Sequence, residues 1–253
     1  GKDSMKCSCI YDVDETFTLD DVPADLRRHI KLVDKGAGKR AIEIHDPPSY
    51  LASAAVKIQD YRKCVDSAFK HEGDFIYVVG TTKDHMGASQ YNSALGYKEH
   101  GAPLQGGNGP KADFDEFKDI AARLHDTIDN ELVASCSYIH AGGLATTIAK
   151  AAMAGEKGAT IATEFITYEG NDNDDATRLY GETPGRFVVT VAPHNTEAFE
   201  QAMGKRARYI GEVAAKDIDI RRMDGIEEHI DLANVKQAYQ APLSFGLQEL
   251  VRQ

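Results

Sequence analysis

The sequence is 253 residues long, with 42% hydrophobic and 27% charged residues, which is typical of a soluble globular protein. Its 40 acidic residues outnumber its 29 basic residues and leave a formal net charge of −11. This balance disfavours nucleic acid or an anionic membrane as the main partner, since both require a basic face. It still allows a small anionic ligand, because a few backbone amides and one lysine can hold a phosphate.

The cysteines and apolar runs predict an intracellular protein without disulfides. Four cysteines in a chain of this length do not form a disulfide framework, and Cys7 and Cys9 lack a second pair at zinc-site spacing. Alternate positions on a strand are the favoured interpretation of that pair. No apolar run reaches the roughly 18 residues of a membrane span, and the first residues lack a signal-peptide core. We therefore expect a cytoplasmic location.

In chain order, the first 58 residues predict mixed structure. Residues 7–13 (CSCIYDV) are expected to form a strand, and residues 20–33 carry the Asp and Pro signals of a helix start. Residues 34–48 are predicted to be a turn-rich connection. Residues 49–58 (SYLASAAVKI) are predicted to form a buried strand.

The rest of the chain predicts strands alternating with helices, which indicates an α/β or α+β fold. We expect the first helix to stop at Gly96, the second to be capped by Asp113 and the third to end at Gly155. Strands are predicted at 74–80, 131–139, 158–166 and 186–192, helices at 89–97, 113–129, 143–155, 193–203 and 227–241, a hairpin at 207–215 with 217–223, and an acidic solvated loop at 169–185.

Several stretches form a recognisable pattern in chain order. They are GKDSM (1–5), GDFIYVVGTTKDHMGASQYNSALG (73–96), VASCSYIHAGGLATTIAKAAMAGEKGATI (133–161), GETPGRFVVTVAPHNTEAFEQAM (181–203) with ARYIGEV (207–213), and the ending QAYQAPLSF (237–245). Together these collinear stretches resemble the C-terminal domain of phosphoribosylformylglycinamidine synthase, whose fold is shared with aminoimidazole ribonucleotide (AIR) synthetase and selenophosphate synthetase. The resemblance covers about residues 42–245 and the first five residues.

The resemblance implies an α+β fold, an α/β sandwich with a mixed sheet packed with helices. It implies a linker and N-terminal extension from a preceding N-type domain at residues 1–44, a C-terminal-type domain at 45–225, and a C-terminal helix and tail at 226–253. It also implies an enzyme that uses ATP, magnesium and glutamine to amidate formylglycinamide ribonucleotide. Its partners would be an N-type domain of the same polypeptide, a glutaminase domain or subunit and the nucleotide substrate.

The candidate binding residues lie in two glycine-bearing turns. Gly87, Ala88 and Ser89 precede a helix, where unpaired N–H groups favour an anion, and the family's Gly-Gly-Ser loop resembles part of a substrate-phosphate region. Gly142 and Gly143 follow a predicted strand in the same way. We interpret them as a geometry kept for helix–strand packing, and a plain capped helix is the alternative for the first turn.

The resemblance also indicates lost metal chemistry. Tyr138 and Ala141 stand where the family has two aspartates, at least one resembling a magnesium ligand, and magnesium prefers carboxylate oxygen. His140 is favoured as a surface or packing residue over a catalytic base. Lys2, in GKDSM, is a further phosphate-contact candidate. We expect no catalytic residue, no metal ligand and no tightly bound cofactor in this chain alone.

The acidic run at residues 170–176 (GNDNDDA) invites a calcium interpretation. It lacks the glycine and glutamate of an EF-hand loop, and a solvated loop is favoured. Three functions are open. The chain is a ligand-positioning domain of the synthase, a degenerate module that serves only as structure and interface, or a stand-alone ATP-using enzyme of the superfamily.

Overall fold

The computed structural model describes residues 8–22, 27–45, 53–58, 60–101, 107–170 and 174–241. Contacts divide the chain into two compact units, Gly1–Gln59 and Asp60–Gln253. The first unit contains an antiparallel sheet with the strand order β1-β3-β2. Its strands are β1 (Ser8–Val13), β2 (Ile30–Gly36) and β3 (Lys39–His45).

The first unit confirms the predicted strand over Ser8–Val13, with Cys7 outside the described residues, and corrects three other expectations. Residues 30–45 form a hairpin and not a helix followed by a connection, because residues 36–38 all adopt positive φ (78°, 54° and 78°) and reverse the chain tightly. Ser53–Ile58 are exposed and have no regular structure. No described strand pairs with them, so their apolar content alone does not make a strand; residues 49–52 lie outside the described residues.

The second unit is built on a seven-stranded mixed sheet with the order β12-β11-β7-β10-β4-β9-β6. Only the β11–β7 pair within it is parallel. A separate two-stranded parallel ladder joins β5 and β8. The strands are β4 (Phe75–Val79), β5 (Thr82–Lys83), β6 (Ser135–Ile139), β7 (Gly158–Ala162), β8 (Tyr168–Glu169), β9 (Arg186–Val191), β10 (Ala207–Ala214), β11 (Ile218–Arg221) and β12 (Glu227–Ile230).

Six α-helices are described in this unit. They are α1 (Gln90–His100), α2 (Phe114–Asp129), α3 (Gly143–Gly155), α4 (Asp175–Tyr180), α5 (Thr196–Met203) and α6 (Leu232–Gln240). None of the helices in the described ranges has the length and apolar character that crossing a bilayer requires. The predicted helices at 113–129, 143–155 and 193–203 are confirmed.

The side chains of β4 alternate between two hydrophobic cores, as the period of a strand requires. Ile76 and Val78 join the core that includes buried residues of α3. Tyr77 and Val79 join the core of α2 and α5, where the rings of Tyr77 and Phe199 lie 5.0 Å apart between centroids. Helices therefore cover both faces of this strand, and the predicted α+β fold with a helix-packed mixed sheet is confirmed.

Several predicted boundaries in the second unit are wrong for reasons of tertiary packing. Residues 207–215 and 217–223 do not pair with each other, because β7 lies between β10 and β11. Gly211 permits that close approach, since a Cβ there would lie 1.9 Å from the Thr160 carbonyl oxygen of β7. The antiparallel partner of β11 is β12, which takes up residues 227–230, so the last helix begins only at Leu232.

Two local signals in the sequence predict the wrong structure. Helix α1 continues through a buried Gly96 and ends at Gly101, whose φ of 69° suits glycine and whose N–H donates to the Tyr97 carbonyl. The predicted solvated loop at 169–185 contains α4, because the Asp174 side chain caps it by accepting from the Thr177 N–H at 2.6 Å. Residues 171–173 lie outside the described residues.

The second core gives a direct stability prediction. Phe199 is fully buried, so Phe199→Ala should lower the free energy of unfolding by about 3–5 kcal/mol through lost apolar contacts and a cavity. Phe114→Ala is the control, because that ring is 71% exposed and should change stability by no more than about 0.5 kcal/mol. Urea denaturation of both variants measures the difference; equal effects would contradict this core assignment.

Candidate functional site

The first candidate turn ends in a helix cap. Ser89 is the N-cap of α1, and its side-chain oxygen accepts a hydrogen bond from the Asn92 N–H at 3.2 Å. The Met86 carbonyl accepts from the Ser89 N–H and from the Asn92 side-chain amide at 3.2 and 2.8 Å. Ser89 is fully buried, so its hydroxyl serves the helix start.

Gly87 and Ala88 occupy the turn before that cap. Gly87 is buried against Gly107 and Asn108, and its N–H donates to the Asn108 carbonyl at 2.8 Å. A Cβ on Gly87 would lie 2.6–2.7 Å from those backbone atoms, so only glycine fits. Ala88 is exposed with a φ of 58°, a left-handed conformation that costs a non-glycine residue about 1 kcal/mol or more.

The glycine pair at the start of α3 is explained by contact with another helix. Gly142 and Gly143 have φ values of 84° and 67°. A Cβ on Gly143 would lie 2.7 Å from the Leu179 carbonyl oxygen and from backbone atoms of Tyr180, at the end of α4. The close packing that requires glycine is therefore between two helices, which corrects the helix–strand interpretation drawn from the sequence.

Glu182 joins the two candidate turns. Its Oε1 atom accepts from the backbone N–H of Gln90, at the start of α1, and from that of Gly142, both at 2.8 Å. The Glu182 N–H donates to the His85 carbonyl at 3.2 Å. The structure thus brings Gly87–Ser89 and Gly142–Gly143 to a common carboxylate, whereas Lys2 lies outside the described residues.

Arg186 fixes the segment that carries Glu182. It is 1% exposed, and its guanidinium donates to the Thr183 carbonyl at 3.1 Å, to the Thr82 hydroxyl at 2.7 Å and to the Gly181 carbonyl. Because these acceptors are neutral, burial dominates and lowers the pKa of Arg186 to about 10. The group remains cationic at neutral pH.

Sequence reasoning missed Glu182 and Arg186, since both fell at the end of the predicted solvated loop and the start of a strand. A usable signal was present in GETPGR, where a glycine turn places one acid and one base directly before the apolar run FVVTV. The glycine turn explains why the chain reverses direction there. It does not explain Glu182 and Arg186, to which the sequence assigns no role.

Tyr138, which stands where the resemblance places an aspartate, makes packing contacts. The Tyr138 hydroxyl accepts from the Gly185 N–H at 3.0 Å, and its ring meets Phe187 edge-on at 5.3 Å between centroids. The His140 ring lies nearly parallel to that of Tyr138 with centroids 6.3 Å apart, and His140 is exposed. Within the described ranges no three His, Cys, Asp or Glu residues are grouped to hold a metal ion. The described residues of this turn do not fit a magnesium ion.

The acidic run has structural contacts where it is described. Asp174 caps α4, and Asp175 accepts hydrogen bonds from the Thr163 hydroxyl and from the Met223 N–H, the latter at 3.1 Å. Arg222 approaches Asp175 at 3.4 Å. Asp174 therefore stabilises the start of α4, and Asp175 holds that helix against the segment after β11.

His85 is a buried polar group on the first turn. Its side chain is 8% exposed, and Nδ1 has no hydrogen-bond partner in the described part of the chain. Burial lowers the pKa of His85, with the positive charges of Lys83, Arg186 and Lys111 adding to the effect and Asp84 opposing it. Protonating this imidazole is therefore unfavourable in the folded protein.

Comparison with known proteins places this architecture in a family. A family model described as AIR synthase related protein, C-terminal domain, matches residues 71–223. The chain belongs to this family. The match begins just before β4 and ends just after β11, and it includes both candidate turns together with Glu182 and Arg186.

Members of the AIR synthase related family with similar sequences are subunits of phosphoribosylformylglycinamidine synthase, which confirms the resemblance drawn from the sequence. Subunit PurL of Leuconostoc mesenteroides is 29% identical over 204 residues, covering 79% of this chain and 25% of that protein. Subunit PurL of Limosilactobacillus reuteri is 30% identical over 166 residues, covering 66% and 20%. The chain therefore spans a quarter or less of these curated relatives.

Solved structures of the family show the same fold. Thermotoga maritima PurL complexed with FGAR matches with a TM-score of 0.59 and 15% identity over 79% of this chain and 32% of that one. A structure of PurLQS from the same organism matches with a TM-score of 0.53 and 14% identity over 78% and 30%. At this level of identity the likeness establishes the architecture alone.

The packing of Gly143 can be tested against a matched glycine. Gly143→Ala should lower the free energy of unfolding by about 3 kcal/mol or more, because backbone strain adds to the clash with α4. Gly73→Ala is the control: its φ is 84°, but a Cβ there meets nothing within 4 Å, so about 1 kcal/mol of strain is expected. Equal losses in urea denaturation would show that the α4 contact is unimportant.

The position of His85 predicts a pH dependence of stability. Because its folded-state pKa lies below the unfolded value of about 6.5, the unfolded chain binds the proton more tightly and stability falls as the pH falls. His85→Gln should therefore lose less stability than the wild type between pH 7.5 and pH 5.5. His125→Gln, at an exposed position of α2, is the control and should follow the wild type. Urea midpoints at both pH values measure this, and an unchanged pH dependence in His85→Gln would refute it.

Proposed function

We propose that this chain is the C-terminal AIR-synthase-type portion of a phosphoribosylformylglycinamidine synthase. The complete enzyme would activate the formamide oxygen of formylglycinamide ribonucleotide with ATP and then replace phosphate with ammonia from glutamine. Family membership over residues 71–223 and the relatives named subunit PurL support this function. It is a ligase activity of the whole protein, located in the cytoplasm.

In this proposal the chain positions ligands and does not perform the chemistry alone. The turn at Gly87, Ala88 and Ser89 and the turn at Gly142 and Gly143 form one wall of a nucleotide or substrate cleft, and Lys2 adds a phosphate contact. An N-type domain of the same polypeptide supplies the opposite wall, and a glutaminase domain or subunit supplies ammonia. The support is that the structure brings both turns next to each other, since Gln90 and Gly142 donate to the same Glu182 carboxylate.

ATP and magnesium belong to the complete enzyme in this proposal, with no tight cofactor binding by this chain. The observation that carries this step is the anchoring of Tyr138 to Gly185 and Phe187. A phenol whose oxygen accepts a backbone hydrogen bond and a methyl side chain at Ala141 are poor substitutes for the hard carboxylate ligands that magnesium prefers. No reaction step is therefore assigned to this turn.

A second candidate function is a degenerate module that contributes only interface area and structural support. The packing roles of Gly87, Ser89 and Gly143 favour it, since each residue type is accounted for without a ligand. A stand-alone ATP-using enzyme of the superfamily is disfavoured, because such an enzyme needs the nucleotide site that this proposal assigns to an N-type domain.

Titration calorimetry with ADP and magnesium separates these functions. We expect no micromolar binding by this chain, because the described residues offer no carboxylate cluster for the metal. Tyr138→Asp combined with Ala141→Asp should gain nucleotide affinity only when an N-type domain is added. Micromolar binding by the unaltered chain, or an equal gain without the N-type domain, would overturn the assignment of a supporting role.

A further inference from the structure

The starts of α1 and α3 converge on one oxygen atom. Gln90 is the first residue of α1, which has 11 residues, and Gly142 is the N-cap of α3, which has 13. The N–H groups of both residues point at Oε1 of Glu182 from 2.8 Å. Helix N-termini carry partial positive charge, so two of them create a place where an anion is stabilised.

Hydrogen bonds hold the backbone on both sides of Glu182. The Thr183 hydroxyl accepts from the Lys83 N–H at 2.9 Å and donates to the Lys83 carbonyl at 3.2 Å. The Gly181 N–H donates to the Thr177 carbonyl at 2.9 Å, and the Gly181 carbonyl accepts from buried Arg186. This segment therefore presents the carboxylate to the two helix starts without requiring a rearrangement.

We propose that Glu182 is a built-in counter-anion that occupies the point where α1 and α3 converge and keeps an external phosphate off the Gln90 and Gly142 amides. The relevance of this contact to catalysis rests on the proposed function. The contact adds to that function the group, Glu182, that occupies the anion position between the two turns. Any phosphate that contacts both amides must first displace Glu182.

The reason for exclusion is electrostatic as well as steric. A carboxylate that accepts two backbone N–H groups forms charge-assisted hydrogen bonds, which are stronger than neutral ones. A phosphate at the same point would meet a like charge at hydrogen-bond distance and would find both donors already used. A neutral glutamine accepts more weakly from the two amides and does not repel an anion, so removing the charge while keeping the shape should let phosphate displace the side chain.

The experiment titrates inorganic phosphate into the ¹⁵N-labelled chain at constant ionic strength and follows the amide signals of Gln90 and Gly142. Glu182→Gln keeps the size of the side chain and removes its charge, and Glu182→Ala removes both. Glu197→Gln, at an exposed position in the first turn of α5, is the matched control. Unchanged signals from β4 in the absence of phosphate verify that each variant is folded.

We expect phosphate to shift both amides in the two Glu182 variants with an affinity at least about tenfold higher than in the wild type and the control. A merely structural role for Glu182 would not create this gain. The proposal is overturned if the wild type shifts with the same affinity, if a folded Glu182→Gln shows no phosphate-dependent shift, or if chloride at equal concentration reproduces the shifts. A tight magnesium–ADP complex would contradict the proposed function without affecting this result.

Discussion

The double hydrogen bond to Oε1 of Glu182 is the constraint on which the arrangement of the candidate site depends. It fixes the start of α1 relative to the start of α3, although the donors lie 92 and 40 residues away in sequence. The segment from Gly181 to Arg186 makes this possible by bonding to β5 on one side and to the buried guanidinium on the other. A carboxylate that accepts from two backbone amides and a guanidinium that donates to two carbonyls and one hydroxyl thus connect the starts of α1 and α3 with β5.

The buried guanidinium also shows how the protein tolerates a costly charge. Removing Arg186 from water is unfavourable, and the cost is offset because neutral oxygens of three different residues accept from it. Those oxygens belong to β5 and to residues 181–183. Satisfying this one buried group therefore ties β5 to the segment that carries Glu182.

Local signals in the sequence were reliable where a single element determines them. The cap at Asp113, the helix that follows it and the apolar strand at Phe75–Val79 depend on neighbours close in sequence, and they were predicted correctly. The hairpin predicted after Ala207 was wrong because β7, some fifty residues earlier in the chain, inserts between β10 and β11. The helix at Asp175 was missed because its acidic composition resembles a solvated loop until Asp174 is recognised as its cap.

The candidate site was predictable in part for the same reason. Both glycine-bearing turns were found from the sequence, since glycine before a helix is a local pattern. The partners that demand glycine are Asn108 for the first turn and Leu179 with Tyr180 for the second. They are distant in the chain, and Leu179 and Tyr180 belong to α4, which the sequence did not predict. Glu182 could not be identified at all from spacing, because its function consists entirely of long-range contacts.

These contacts change what a glycine motif can establish. At Gly87 and Gly143 the absence of a side chain is required by neighbouring backbone, so the residue type is fully explained by packing. The property specific to an anion ligand is the presence of N–H groups that converge, and the structure shows these groups at Gln90 and Gly142. Their acceptor is a carboxylate of the same chain. A motif that resembles a phosphate-binding turn can therefore be a position that a side chain of the same protein occupies. The occupant, a phosphate or a carboxylate of the chain, distinguishes a ligand site from a filled one.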